Sequence, residues 1–181
     1  FFLLVGWNNM VYHSGYNEAQ CRQMCNMSIL PLKTKFKGPA PLLKEEGQPD
    51  IVDEALKFFK ANVLFRNYEV KGPADRVLLY LTYYTKLALK KIENCSKQDA
   101  EKALYQLAIE NFQIPGDSGF VFGGFFHNPT GRQEADTVRA YFTQLRQELG
   151  IRLVELVYGA DASAPSKWWI CFNKRKFMNI A

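Results

Sequence analysis

Histidine is scarce in this 181-residue chain, and its cysteines follow no metal-binding pattern. The only histidines, His13 and His127, have no second candidate ligand at the short spacing of a zinc site, and two histidines offer little for a catalytic triad. The cysteines lack a Cys-x-x-Cys pair and the dense spacing of a secreted disulfide scaffold, which predicts free thiols at Cys21, Cys25, Cys95 and Cys171. We therefore expect no metal and no cofactor.

Long apolar runs and phosphate-binding motifs are missing as well. The longest strongly apolar run, residues 77–81, is far short of the ~20 residues that span a bilayer, so no membrane span is expected. The glycine-rich segment 116–124 has the spacing of neither a dinucleotide-binding turn nor a P-loop. Paired acids such as Asp53 and Glu54 occur where helix starts normally carry them. The chain is therefore expected not to be an enzyme.

Helical periodicity is the strongest pattern that the sequence does contain. Asp50 follows Pro49 and precedes apolar residues at helical spacing, which predicts a capped amphipathic helix through Phe65. A second helix is expected over residues 73–94, with Pro73 in its first turn. Its apolar residues surround the whole circumference, a distribution typical of a helix enclosed by others. We expect this to be the central helix of the fold.

Two further helices are expected in the second half of the chain. Ser96 and Asp99 form a near capping box for a helix that ends near Phe112. The other covers residues 132–149, and Gly150 stands where a left-handed residue commonly ends a helix. The apolar residues that follow, through Tyr158, suit either a short strand or a turn of helix, and their short length leaves both open.

The remaining segments are a last helix and two long loops. Ser166, directly after Pro165, is placed to cap the last helix. Residues 33–49 carry five prolines or glycines among charged residues, which predicts an extended arm over residues 31–49. Residues 113–131 are expected to form a long loop or a short hairpin pinned by phenylalanines. The sum is an all-α fold, a single domain of about five helices.

The end of the chain is basic and aromatic. The chain has a net charge of +5, and none of its acids follows Asp161. Cationic and aromatic side chains alternate in that segment: Lys167, Trp168, Trp169, Phe172, Lys174, Arg175, Lys176 and Phe177. Such a patch attracts phosphates or acidic protein surfaces. Because no known nucleic-acid-binding motif accompanies it, the residues favour an assembly subunit over a nucleic-acid-binding module or an enzyme. The same aromatics also suit packing in the chain's own core.

Several strings in fixed order resemble one family. Phe36-Lys37-Gly38-Pro39-Ala40-Pro41 is long and specific, and Asp50-Ile51-Val52-Asp53-Glu54-Ala55 follows it. Pro165-Ser166-Lys167-Trp168-Trp169 and Lys174-Arg175 lie near the end. From Met10 onward the chain resembles the 21-kilodalton subunit 3 family of the actin-related protein 2/3 complex, the nucleator of branched actin filaments.

This resemblance implies a noncatalytic structural subunit of a seven-subunit complex, with a five-helix fold. It implies docking against actin-related protein 3, contact with actin filaments through the complex, and a role in complex stability, nucleation and branching. It further implies a cytoplasmic protein of the actin cytoskeleton that does not bind nucleic acid. The alternative is a free basic nucleic-acid-binding module.

The matched motifs also suggest interface residues and domain limits. The predicted protein interface consists of Phe36, Lys37, Lys167, Trp168, Lys174, Arg175 and Phe177. Residues 1–9 precede the apparent start Met10 and are expected to be a non-native or disordered extension, which leaves residues 10–181 as one domain. Cys25 departs from the pattern, because the family usually has glycine at that position.

Overall fold

Helices make up most of the regular structure in the computed structural model, which describes residues 11–43, 47–159 and 163–180. The expected extension over residues 1–9 lies outside the described residues, and Met10 does too. In chain order the elements are β1 (Gln23–Met24), β2 (Met27–Ser28), α1 (Ile51–Asn62), α2 (Pro73–Ile92), α3 (Lys97–Ile109), α4 (Arg132–Tyr158) and α5 (Lys167–Ile170).

The starts of the helices lie where the sequence predicts them. Asp50 caps α1 by accepting hydrogen bonds from the backbone N–H groups of Val52 and Asp53, and the Asp53 side chain accepts from the Asp50 N–H in return. Ser96 accepts from the Asp99 N–H at the start of α3. Each bond satisfies an amide that the first helical turn leaves without a partner. Local sequence alone is therefore enough to fix these boundaries.

A small hairpin makes the fold mostly helical rather than all-α. Strands β1 and β2 pair antiparallel with Met24 opposite Met27, so that only Cys25 and Asn26 form the turn. Both turn residues have positive φ, at 49° and 52°, as a two-residue hairpin turn requires. The sequence carries no Asn-Gly or Asp-Gly signal at this position, which is why the strands were not predicted. The left-handed backbone at Cys25 is the conformation that favours glycine.

Helix α4 is nine residues longer than predicted, because it continues through Gly150 to Tyr158. The interpretation of Gly150 as a left-handed end is therefore wrong. Gly150 is buried inside the helix, and a Cβ built on it would lie 3.3 Å from Cβ of Leu104 on α3. The glycine favours the close approach of α3 to α4, because a side chain here would push Leu104 aside. The residue with positive φ at the end of the helix is Gly159, with φ of 60°.

This close approach makes Gly150→Val a test of the packing between α3 and α4. We expect the substitution to lower the free energy of unfolding by about 1–3 kcal/mol, because the added methyl groups must displace Leu104. Urea denaturation would measure the change. Ala140→Val, at an exposed position of the same helix, is the matched control for the cost of a branched side chain in a helix. Equal losses in both variants would contradict tight packing at Gly150.

Of the 20 residues of α2, 14 are buried. The helix contacts α1, α3, α4, α5 and β2. Aromatic side chains fill the space beside it: Tyr80 stacks on Phe142 of α4 with ring centroids 4.0 Å apart, and Tyr83 meets Phe122 of the 113–131 loop edge to face. Buried phenylalanines thus pin that loop to the core, as the sequence predicts. Within the described residues, no helix is both long enough and apolar enough to cross a membrane.

Candidate interaction surface

Large apolar side chains are exposed on the C-terminal half of α4. Ile151 is 50% exposed and Leu156 is 51% exposed, with Glu155 between them. A single exposed apolar residue is ordinary on a protein surface. These residues, however, border two grooves that meet at Glu155. We call this part of the helix, residues 151–156, the α4 ridge.

The first groove, here the arm groove, lies between α3 and the α4 ridge. It measures about 290 Å³ and is bordered by Phe36 of the 31–49 arm. Tyr105 of α3 lies on its edge and is 54% exposed. Its remaining lining residues are Lys97, Glu101, Leu104, Gln147, Gly150, Ile151, Val154 and Glu155. The groove is therefore mainly apolar, with charges at its rim.

Gln144 of α4 holds the arm at this groove. Its side-chain amide donates to the Phe36 carbonyl at 2.9 Å and accepts from the Ala40 N–H at 2.9 Å. The amide is buried, so these two bonds replace its contacts with water. A Cβ at Gly38 would lie only 2.2 Å from Cδ of Gln144. Glycine at this position is thus what lets the arm lie directly against α4.

The second groove, here the tail groove, separates α1 from α4. It measures about 640 Å³, and Leu56, Lys57, Lys60, Leu156 and Trp169 are among its lining residues. Trp169 stacks on Phe59 with ring centroids 5.9 Å apart, and the Lys60 ammonium lies 4.5 Å from the Trp169 ring. This tryptophan belongs partly to the core and partly to the groove wall.

Arg152 lines the tail groove and connects the arm, α1 and α4. Its guanidinium donates to both carboxylate oxygens of Asp50, at 2.6 and 2.9 Å, and to the Lys33 carbonyl at 2.8 Å. Glu148 and Asp53 accept further hydrogen bonds from it. Burial alone would lower the pKa of Arg152, but the hydrogen bond and charge of Asp50 outweigh burial and raise it. The ion pairs fix the positions of the elements that form the grooves.

Asp53 extends this network to the arm. Lys33 forms an ion pair with Asp53, and burial of the Asp53 carboxylate opposes its charge. Hydrogen bonds from Lys33 and from the Asp50 N–H, together with the Arg152 charge, outweigh burial and lower the pKa of Asp53. The carboxylate is therefore ionised at neutral pH, when it can hold both cations.

The predicted interface residues occupy different places in the structure. Trp168 is 80% exposed, Lys37 and Lys167 are exposed, and Phe36 is half-buried at the arm groove. The start of α5 is tied to the end of α4, because the Ser166 N–H donates to the Val157 carbonyl at 3.0 Å. The structure thus brings the arm and the first turn of α5 to the two sides of the α4 ridge.

The other three predicted residues lie elsewhere. Lys174 borders a separate cleft beside α2, and Arg175 is exposed next to it. Phe177 is fully buried and packs edge to face against Phe122, with ring centroids 6.4 Å apart. Its place in the chain's own core removes Phe177 from the surface that a partner can reach. A buried aromatic and an interface aromatic look alike in sequence, which explains the error.

Sequence reasoning missed Tyr105, Ile151 and Leu156. Ile151 and Leu156 lie beyond the predicted end of the helix at Leu149, so the prediction did not place them on an exposed helix face. One signal in the sequence favours that continuation: Glu148 and Arg152 have the i,i+4 spacing of a helical ion pair across the glycine, and they form it. In the described ranges, no group of three or more His, Cys, Asp or Glu is placed to hold a metal ion.

Comparison with known proteins finds close relatives along nearly the whole chain. The family model described as the ARP2/3 complex ARPC3 (21 kDa) subunit matches residues 10–181. "Actin-related protein 2/3 complex subunit 3" of Dictyostelium discoideum is 56% identical over 174 residues, which cover 95% of this chain and 99% of the relative. The proteins with the same name from Schizosaccharomyces pombe and Arabidopsis thaliana are 49% and 45% identical, and each alignment covers 94% of this chain and 98% of the relative.

Proposed function

This chain belongs to the family of actin-related protein 2/3 complex subunit 3, and from that membership we propose that it is a noncatalytic structural subunit of such a complex. In this role it docks against actin-related protein 3 within a seven-subunit assembly in the cytoplasm. It supports the stability of the complex and, through the complex, the nucleation and branching of actin filaments. The names of its relatives support membership of the complex.

The proposed docking surface is the α4 ridge with its two flanking grooves. Phe36 and Lys37 lie on the arm side, and Lys167 and Trp168 lie on the α5 side. The observation that carries this proposal is the exposure of Trp168, at 80%, on the short helix α5, whose Trp169 lines the tail groove together with Leu156. Burial against a partner would remove these apolar surfaces from water, and tryptophan is enriched among the residues that dominate interface energies.

Lys174 and Arg175 lie outside the two grooves and would assist docking through long-range charge attraction. Both are exposed, and the ion pair of Lys174 with Glu93, at 3.9 Å, is loose. Charges in such positions raise the rate of association more than the final affinity. Their replacement by glutamate should therefore slow assembly and increase its sensitivity to salt.

We also propose that α2 is the central helix that makes this subunit a rigid body. Its contacts with four helices and β2, and the burial of most of its residues, support this arrangement. A rigid scaffold lowers the entropy lost when the arm and α5 are held against a partner. Most of the binding energy can then come from a few well-placed side chains.

Replacing Trp168 with alanine tests the docking surface. We expect the variant to fold normally, because Trp168 contributes little to the core. It should bind the actin-related subunits at least about 30-fold more weakly, which corresponds to a loss of about 2 kcal/mol at an interface anchor. Recovery of tagged protein with its partners, after nuclease treatment of the lysate, measures the effect.

Ile109→Ala is the matched control, since Ile109 is 46% exposed but borders neither groove. It should leave the recovery of partners unchanged. Undiminished recovery by Trp168→Ala would move the interface away from α5. Recovery of nucleic acid without actin-related proteins would instead favour the basic nucleic-acid-binding module.

A further inference from the structure

A basic cleft lies beside α2, apart from both grooves of the proposed interface. It measures about 200 Å³ and is bordered by Lys86, Leu87 and Lys90 of α2, by Glu93, and by Asn173, Lys174 and Lys176 of the C-terminal segment. Four ammonium groups thus meet a single carboxylate. Among the described residues, only Lys174 of these lysines forms an ion pair, and its 3.9 Å separation from Glu93 is long.

Lys86 is the buried member of this group. The residue is 4% exposed, and its ammonium donates to the Ile180 carbonyl at 3.1 Å, which satisfies one of its three donors. Burial, together with the charge of Lys90, lowers the pKa of Lys86. Over the described part of the chain, Lys86 has a cationic neighbour and no anionic partner, and a buried ammonium in that setting costs free energy that a bound anion would recover.

Asn173 supplies an independent indication that this cleft binds a ligand. The residue is 4% exposed and borders the cleft, and its side-chain Nδ2 has no hydrogen-bond partner in the part of the chain that the structure describes. Nearly all buried polar groups in folded proteins are paired, and an unpaired one loses its bonds to water without replacement. An unpaired amide donor beside four ammonium groups and a single carboxylate calls for an acceptor with negative charge.

We propose that this cleft binds the phosphate monoester group of a ligand, with Lys86 and Asn173 at its base and Lys90, Lys174 and Lys176 at its mouth. A phosphate monoester carries up to two charges and three terminal oxygens, so that one group can accept from several ammonium ions and an amide together. A carboxylate has one charge and two oxygens, and would leave more of these donors unpaired. The site uses none of the residues on the α4 ridge, and Lys174 is the one residue that it shares with the predicted protein interface.

Titration of the ¹⁵N-labelled full chain with pyrophosphate, at constant ionic strength, tests the site. We expect saturable shifts of the Asn173 side-chain amide signals. Lys86→Met keeps most of the apolar stem and should weaken binding about tenfold or more, as expected for the loss of a buried charge-assisted bond. If Lys86→Met does not fold, Asn173→Asp provides the same test, since its carboxylate repels the anion.

Lys176→Gln and Arg175→Gln form the matched pair, because each removes one positive charge from the same segment but only Lys176 borders the cleft. Lys176→Gln should weaken pyrophosphate binding severalfold, and Arg175→Gln should leave it nearly unchanged. Equal losses in both, or shifts at Asn173 that never saturate, would overturn the site and indicate general electrostatic attraction.

Phosphatidylcholine vesicles that contain phosphatidic acid distinguish the two sources of a phosphate monoester. If they bind the chain and lose this binding in Lys86→Met, the ligand is a lipid headgroup. If pyrophosphate binds saturably and these vesicles do not, the ligand is a free phosphate compound. Both outcomes require the same residues, and neither depends on recovery of actin-related proteins.

Discussion

Replacing Arg152 with methionine is expected to lower the free energy of unfolding by about 3–5 kcal/mol. The side chain of Asp50 is fully buried, and Arg152 is its bidentate partner. Methionine would fill most of the volume but would leave a buried carboxylate without a counter-charge. Because natural domains are stable by only about 5–15 kcal/mol, this single change removes a large share of the total.

Urea denaturation followed by tryptophan fluorescence would measure the loss. Arg132→Met on the same helix is the control, because the ion pair of Arg132 with Asp136 spans 3.8 Å at side chains that are 96% and 71% exposed. Such a surface pair contributes little, so that variant should stay close to the original stability. Arg152→Lys should be intermediate, since a single ammonium cannot reproduce the fork that binds both Asp50 oxygens. A loss in Arg152→Met as small as in Arg132→Met would refute the role of the network.

Arg152→Met also tests the proposed function. Arg152 connects Lys33 of the arm with Asp50 at the start of α1, so its loss should loosen both grooves before the core unfolds. We expect Arg152→Met to recover fewer actin-related proteins than Arg132→Met even at temperatures where it remains folded.

Replacing Asp75 with asparagine is expected to cost at least about 3 kcal/mol of stability. The Asp75 side chain is fully buried in the first turn of α2. It accepts hydrogen bonds from the Ser14 N–H at 2.8 Å, the Lys71 N–H at 2.9 Å and the His13 Nδ1–H at 2.7 Å, and a fourth from the Asn17 side-chain amide at 3.0 Å. An asparagine amide has only one acceptor oxygen, so that buried donors would face its NH₂ group.

The stability lost in Asp75→Asn should decrease as the pH falls. Burial opposes the charge of Asp75, but the hydrogen bonds from Ser14, Lys71, His13 and Asn17 outweigh it and lower the pKa of the carboxylate. A lowered folded-state pKa stabilises the protein above the unfolded-state value of about 4, and this stability disappears as pH falls through the folded-state pKa. The difference in the free energy of unfolding between the original protein and Asp75→Asn should therefore be largest near pH 7 and should shrink in strong acid.

Asp136→Asn is the control for this measurement, because the Asp136 side chain is 71% exposed. The free energy of unfolding of Asp136→Asn should stay close to that of the original protein at every pH. Comparing each variant with the original protein at the same pH cancels the titration of the other acids. A stability difference for Asp75→Asn that does not change with pH would contradict the proposed charge interaction, even if the variant were destabilised.

Features that depend on neighbouring residues were readable from the sequence. Asp50 and Ser96 predicted the starts of α1 and α3, and Pro73 predicted the start of α2, because a cap or a proline acts within one turn of the chain. The matched strings from Phe36 to Arg175 identified the family for the same reason, since they are properties of the chain itself.

Other features could be decided only by contacts between distant residues. Gly150 lies within α4 because packing against Leu104 outweighs its local preference for a helix end. Phe177 is a core residue and Trp168 a surface residue, although both are aromatic and both lie in the basic segment, because burial depends on which elements lie above each side chain. The unpaired amide of Asn173 likewise exists only beside the lysines of α2. The sequence by itself therefore determined the helix starts and the family, while the tertiary structure decided helix length at Gly150, the hairpin, and the surfaces available to ligands and partners.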